Sequence, residues 1–230
     1  MNRTKRSKCL SLFLSLLMAM TIAIGLSFPS LAADQEIVVL YTNDVHCSVD
    51  ENIGYDFAIP GNHEFDYGMP RFLELSTSLD CGYSSCNFMD LRTGGTVFDP
   101  YRIFTYGDTK VAFVGVTTPE SFTKSTPAYF QDGNGNYIYG FCEDESGQKL
   151  YAQVQSAVDS ARAEGADMVI LVAHLGENGV TGRWSSDSVL SHTTGIDACI
   201  DGHSHESYMK YAKNKDGRDR ACDSRKERGQ

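Results

Sequence analysis

A layered α/β domain is the fold class predicted by this 230-residue sequence, and three observations carry the prediction. Residues 168–173 are an apolar run and 196–200 another, interrupted only by Asp197, the pattern of strands covered on both faces. Leu150, Val154, Ala157, Val158 and Ala161 recur at helical spacing just before the first of these runs, and Gly165 ends the repeat. A further apolar run at 111–116 precedes that helix, giving the strand–helix–strand order of a sheet with helices packed on it.

The chain opens with an export address. Arg3, Lys5, Arg6 and Lys8 precede an apolar run from Leu10 to Phe28, and Ser30-Leu31-Ala32 supplies small residues for cleavage after Ala32. Residues 1–32 are therefore read as a signal peptide; the alternative is an uncleaved membrane anchor, since the run is almost long enough to span a bilayer. The protein is expected outside the cytoplasm: extracellular, at the cell surface or in the periplasm. No later segment is apolar enough to cross a membrane.

Residues 33–209 form the predicted domain. Residues 36–41, with Ile37, Val38, Val39 and Leu40 in succession, read as a buried strand, and 57–59 as a shorter one. Pro70 suits the first turn of a helix carrying Phe72, Leu73 and Leu75. Residues 83–88 are strand-like, and 102–106 with 111–116 form a hairpin about Gly107-Asp108. From 117 to 147 the composition turns to Gly, Asn, Asp and aromatics, which reads as a long surface excursion. Residues 210–230 carry eight basic and four acidic side chains with few hydrophobics, and read as a disordered, solvated tail.

The net charge of −10 becomes −14 once the four basic residues of the leader are removed. So acidic a chain is a poor partner for nucleic-acid polymers and suits the concentration of divalent cations. The cysteines left after the leader, at 47, 81, 86, 142, 199 and 222, include no CxxC pair, and no disulfide framework is readable. Cys86 and Cys199 lie in apolar runs, where they act as small buried hydrophobes.

Four short segments carry chemistry, each where an apolar run gives way to a loop: Asn43-Asp44-Val45-His46, Gly61-Asn62-His63-Glu64-Phe65-Asp66, Ala173-His174-Leu175-Gly176 and Gly202-His203-Ser204-His205. Ligands of open α/β sheets gather at the carboxyl ends of strands. Asp44 and His46, two apart on an extended chain, point the same way and can reach one ion. Five of the six histidines fall in these segments, and His192 reads as ordinary surface. Gly61 and Gly202 are either close-approach positions or plain turn glycines.

In order and wording, the segments resemble those of the calcineurin-like metallophosphoesterases, in particular the bacterial 5′-nucleotidase and UDP-sugar hydrolase branch. The resemblance covers roughly residues 37–206. It implies a β-sandwich flanked by helices and a small-molecule phosphoester substrate, a nucleotide or related compound. It also implies two divalent cations, Zn²⁺ or Mn²⁺. By the same resemblance, Asp44, His46 and His205 hold the first cation, and Asn62, His174 and His203 the second. Asn62 and His63 face the phosphate, and Asp66 orients His63. Two such cations polarise a phosphoryl group and acidify a water.

The sequence departs from that family in two places. Only fifteen residues separate His46 from Asn62, and no Gly-Asp-x-x-x-Gly occurs among them, so the aspartate expected to bridge the cations is absent near an internal gap at 55–56. A helix and strand are expected to be missing there, with weakened occupancy of the second cation. The nucleobase-binding second domain of the family is also expected to be missing. Three readings follow: a 5′-nucleotidase-like phosphohydrolase, a weakly active or non-catalytic metal-binding remnant, and a cyclic-nucleotide phosphodiesterase.

Overall fold

A computed structural model describes residues 37–42 and 54–224. The predicted signal peptide, Asp44, His46 and Cys47 lie outside them. The chain divides into two compact units, Met1–Val39 and Leu40–Gln230. Of the first, only residues 37–39 are described, and they carry no regular structure.

In the second unit, a 3₁₀ turn at His63–Phe65 leads into helix α1 (Met69–Ser76), with Pro70 in its first turn as expected. Strands β1 (Met89–Asp90), β2 (Gly95–Thr96), β3 (Tyr101–Tyr106) and β4 (Thr109–Thr117) follow. Next come helix α2 (Ser121–Lys124), a 3₁₀ turn at Pro127–Phe130, β5 (Tyr139–Gly140), α3 (Gln148–Ala163) and β6 (Met168–His174). A 3₁₀ turn at Gly182–Trp184, α4 (Ser186–His192), β7 (Ala198–Ile200), β8 (Tyr208–Lys213) and β9 (Asp219–Ser224) complete the order.

The main sheet has six strands in the order β3-β4-β6-β7-β9-β8. Its centre is parallel, β4 with β6, β6 with β7 and β7 with β9, and antiparallel hairpins close both edges. A three-stranded antiparallel sheet, β2-β1-β5, is built from two-residue strands. The architecture is the predicted mixed α/β layering. On one face of the main sheet, Ala112, Val114 and Val116 of β4 and Val169, Leu171 and Ala173 of β6 pack with Leu150, Val154, Val158 and Ala161 of α3. These are the positions where strand and helix periodicities converge. Arg162, at the end of α3, donates to the carbonyls of Ala166, Asp167 and Gly195 and pairs with Asp197, so one guanidinium ties the helix to the entrances of β6 and β7.

Four expectations are corrected. Residues 37–42 form no strand, and Val38 and Leu40 are 70% and 89% exposed. An apolar run becomes a strand only where a neighbouring backbone completes its ladder, and no described strand pairs with it. Residues 83–88 contribute only isolated bridges, Tyr83 to Ala58 and Ser84 to Asp99. They run instead against β4, where Cys86 N–H donates to the Gly115 carbonyl. A side chain at Gly115 would meet the Ser84 carbonyl oxygen at 2.4 Å, which is why a glycine interrupts this strand.

The stretch 117–147 is more than a surface excursion. Phe130, Tyr139 and Phe141 are buried with Phe65, Phe72 and Phe88 in a second, aromatic core, where Phe88 and Phe141 stack at 5.0 Å. Gly and Asn make the turns between them, so average composition concealed the inward-facing rings.

The predicted tail is a β-hairpin over its first part: β9 pairs with β7 through Ala198↔Ala221 and Cys199↔Cys222, and β8 lies outside it. Asn214 Oδ1 accepts the N–H groups of Asp216 and Arg218 to close the turn. Lys213 is exposed and pairs with Asp219, whereas Lys210 lies on the face of the buried Ala212 and Cys222 and pairs with Glu177 and Asp187. Residues 225–230 lie outside the described set.

Candidate active site

β4 and β6 end together at Thr117 and His174, and β7 ends at Ile200, so the segments that follow them share one edge of the sheet. His174 closes β6, and its Nε2 lies 3.1 Å from Oδ1 of Asn62, the residue that caps the His63–Phe65 turn. Both are buried, Asn62 to 2% exposure and His174 to 9%. The ring of His203 sits 4.9 Å from that of His174. His203 and His205 have φ of 79° and 55°, the left-handed region that side chains rarely adopt. Such backbone persists where surrounding contacts over-determine it, and it concentrates at functional sites.

Gly61 makes the Asn62–His174 approach feasible. A Cβ there would lie 2.9 Å from His174 Nε2 and 3.0 Å from its Cδ2. Of the two readings of this glycine, close approach is the one the geometry carries.

Two carboxylates that sequence reading missed hold the loops. Asp201, 1% exposed, accepts the N–H groups of Leu175, Gly176 and Gly202 on Oδ1 and the Tyr208 hydroxyl on Oδ2. It thereby fixes the turn after His174 to the turn before His203. Burial pushes its carboxyl above the ordinary range, against these hydrogen bonds. Glu120, just after β4, accepts from the Thr181 N–H and hydroxyl on Oε1, while Oε2 lies 2.9 Å from His203 Nε2. Burial alone would raise its carboxyl, but hydrogen bonds from Thr181 and His203 more than offset this and hold it below the usual range. Neither residue falls in a sequence motif. The one signal that could have found them is a carboxylate at a strand exit on the same edge as the histidines.

His63 Nδ1 is 2.7 Å from Asp66 Oδ2, the pairing expected of these two residues. Asn62, His63, His203, His205 and Lys124 line one cavity of about 300 Å³. His192 lies on α4, stacked on Tyr151 at 4.3 Å, with Nδ1 donating to the Ser188 carbonyl.

The structure thus brings together Asn62, His63, Asp66, His174, His203 and His205, and says nothing of Asp44 and His46. Among the described residues, no group of three or more His, Cys, Asp or Glu stands ready to hold a metal ion. Asn62 is a donor of a different class, and its contact with His174 fits a shared cation. The two atoms lie 3.1 Å apart, within hydrogen-bond reach, and an imidazole nitrogen and an amide oxygen are both donors that divalent cations accept. Among the described residues no helix is long and apolar enough to cross a membrane.

The family model described as calcineurin-like phosphoesterase matches residues 35–207. The chain is 30% identical over 160 residues to a 5′-nucleotidase of Vibrio cholerae, covering 67% of this chain and 27% of that protein. It is 27% identical over 169 residues to the protein UshA of Escherichia coli, covering 71% and 29%. Among solved structures, the sulfate thiohydrolase SoxB of Thermus thermophilus superposes with a TM-score of 0.58 at 24% identity, over 75% of this chain and 28% of that one. The chain spans about a quarter of the length of the curated relatives it matches.

Proposed function

Because the chain belongs to the calcineurin-like phosphoesterase family, we propose that it is an exported, metal-dependent hydrolase of small phosphate monoesters, of 5′-nucleotidase type. Asn62, His174 and His203 would hold one divalent cation, and Asp44, His46 and His205 a second. A donor set of imidazole, amide and carboxylate suits Zn²⁺ or Mn²⁺. When bound, such cations supply Lewis-acid polarisation of the phosphoryl group and a water of lowered pKa.

The chain's own residues supply the rest. Asp66 accepts from His63 Nδ1 and so turns Nε2 toward hydrogen bonding with substrate. As the imidazolium, with Asp66 balancing its charge, His63 would stabilise charge on the transferring phosphoryl oxygens and hand its Nε2 proton to the leaving oxygen. Lys124, the cationic side chain of the cavity lining, adds attraction for an anionic ester. Asp201 and Glu120 keep the histidine-bearing turns in place.

The observation that carries this reading is the approach of Asn62 Oδ1 to His174 Nε2 beside the His63 and Asp66 pair. The test is release of phosphate from an aryl phosphate with added Mn²⁺ or Zn²⁺, compared with His63→Ala. A fall of about a hundredfold or more is expected; equal rates would refute the reading. Assaying AMP and a cyclic nucleotide beside the aryl ester separates monoesterase from phosphodiesterase. The remnant reading is favoured by one feature, the lack of Gly-Asp-x-x-x-Gly between His46 and Asn62. It predicts metal binding without turnover in the same assay.

A further inference from the structure

We propose that Glu120 is a positioning residue of the metal centre: its carboxylate holds His203 with the proton on Nε2, leaving Nδ1 as the nitrogen offered to a divalent cation. This rests on the phosphohydrolase reading of the same site.

The side chains of His203 and Glu120 are 7% and 6% exposed, and Nε2 lies 2.9 Å from Oε2. An ionised carboxylate only accepts hydrogen bonds, so the hydrogen between them belongs to the imidazole. A neutral histidine carries one N–H; with that hydrogen on Nε2, the only lone pair left for a ligand is on Nδ1.

Glu120 is itself held before any cation arrives. Its other oxygen takes two hydrogen bonds from Thr181, both of 2.6 Å. Its backbone is fixed too, the N–H donating to Thr118 Oγ1 and the carbonyl accepting from Thr123 and Lys124. The carboxylate therefore bridges three segments: the exit of β4, the loop carrying Thr181 and the turn after β7. This explains how His203 is kept at φ 79°, since a strained residue needs an outside anchor. A ligating histidine whose second nitrogen donates to a carboxylate is fixed in tautomer and direction and is made more basic.

The test has two arms. In ¹⁵N-histidine-labelled, metal-free protein, long-range ¹H–¹⁵N correlation reads the tautomer of His203, identified by the peak lost in His203→Gln. Zinc binding by titration calorimetry is then compared for wild type, Glu120→Gln, which keeps an accepting oxygen, and Glu120→Leu, which does not. The expected result is the Nε2–H tautomer in wild type. Zinc affinity falls about 10–100-fold in Glu120→Leu, with Glu120→Gln in between. A folded Glu120→Leu that binds zinc as wild type does overturns the role of Glu120, and so does an Nδ1–H tautomer in wild type. The tautomer decides even if Glu120→Leu does not fold. Wild-type protein that binds no zinc refutes the phosphohydrolase reading instead, whereas the wrong tautomer in a zinc-binding wild type refutes the positioning role alone.

Discussion

Replacing Gly61 with alanine adds a single methyl group at the point where two candidate ligands meet. Its Cβ would stand 2.9 Å from His174 Nε2, 3.0 Å from His174 Cδ2 and 3.0 Å from Glu64 Oε2, which already accepts the Gly61 N–H. Ordinary contact needs about 3.5 Å, so the imidazole must retreat by roughly 0.5 Å. A retreat of that size away from Asn62 stretches the 3.1 Å contact to about 3.6 Å, outside hydrogen-bond geometry. The φ of Gly61 lies outside the left-handed region, so steric contact is the whole effect. Overpacking of this kind costs about 1–3 kcal/mol. In a domain of this size that lowers Tm by about 2–12 °C, and misplacement of a ligand lowers metal affinity by about 10-fold or more. Thermal unfolding followed by circular dichroism reads the first effect, and zinc calorimetry the second. A Gly61→Ala protein with unchanged Tm and unchanged zinc affinity would show that this residue is only a turn glycine and that the close approach does not matter.

Asp201→Ala leaves the N–H groups of Leu175, Gly176 and Gly202 without their acceptor. The expected loss is on the order of 3 kcal/mol in urea unfolding, whereas Asp201→Asn keeps an accepting oxygen and loses less. Tyr101 donates to Glu164 at 2.7 Å, and burial, reinforced by that carboxylate, pushes its hydroxyl up to about 12. The folded state thus holds this proton more tightly than the unfolded chain. The contribution of Tyr101 is complete below about pH 10 and is lost between about 10 and 12 as pH rises. Urea midpoints at about pH 9 and about pH 11.5 should therefore fall further for wild type than for Tyr101→Phe; equal falls would contradict the assignment. Cys142, whose thiol burial raises to about 11, is expected to alkylate at about pH 8 roughly a hundredfold more slowly than an ordinary thiol, a rate that mass spectrometry of the labelled peptide can follow.

The central strands and α3 were legible because their signal is local: residues 168–173 are apolar throughout, and Leu150 to Ala161 repeat at one turn. The hairpin of β3 and β4 was legible for the same reason. Where the reading failed, the deciding partner was distant in sequence. Residues 37–42 look like a strand but find no ladder among the described residues. Residues 210–224 read as part of a tail because the pairing with β7, and the burial of Ala212 and Cys222, depend on a neighbour the local composition does not show. In the site, the motif segments and the family resemblance they carry pointed to Asn62, His63, Asp66, His174, His203 and His205, whose side chains or cavity positions fall together. Glu120 and Asp201 stayed hidden because each acts by accepting hydrogen bonds from groups as far as 83 and 26 residues away, contacts that exist only once the sheet has formed. Asp44 and His46 keep the standing the sequence gives them.

The most direct measurement is anomalous diffraction from a crystal of this protein grown with MnCl₂. A manganese peak is expected in the cavity, about 2.0–2.3 Å from both His174 Nε2 and Asn62 Oδ1, and close to His203. A map with no peak there, from protein at saturating metal, or a peak bound only by surface carboxylates elsewhere, would contradict it.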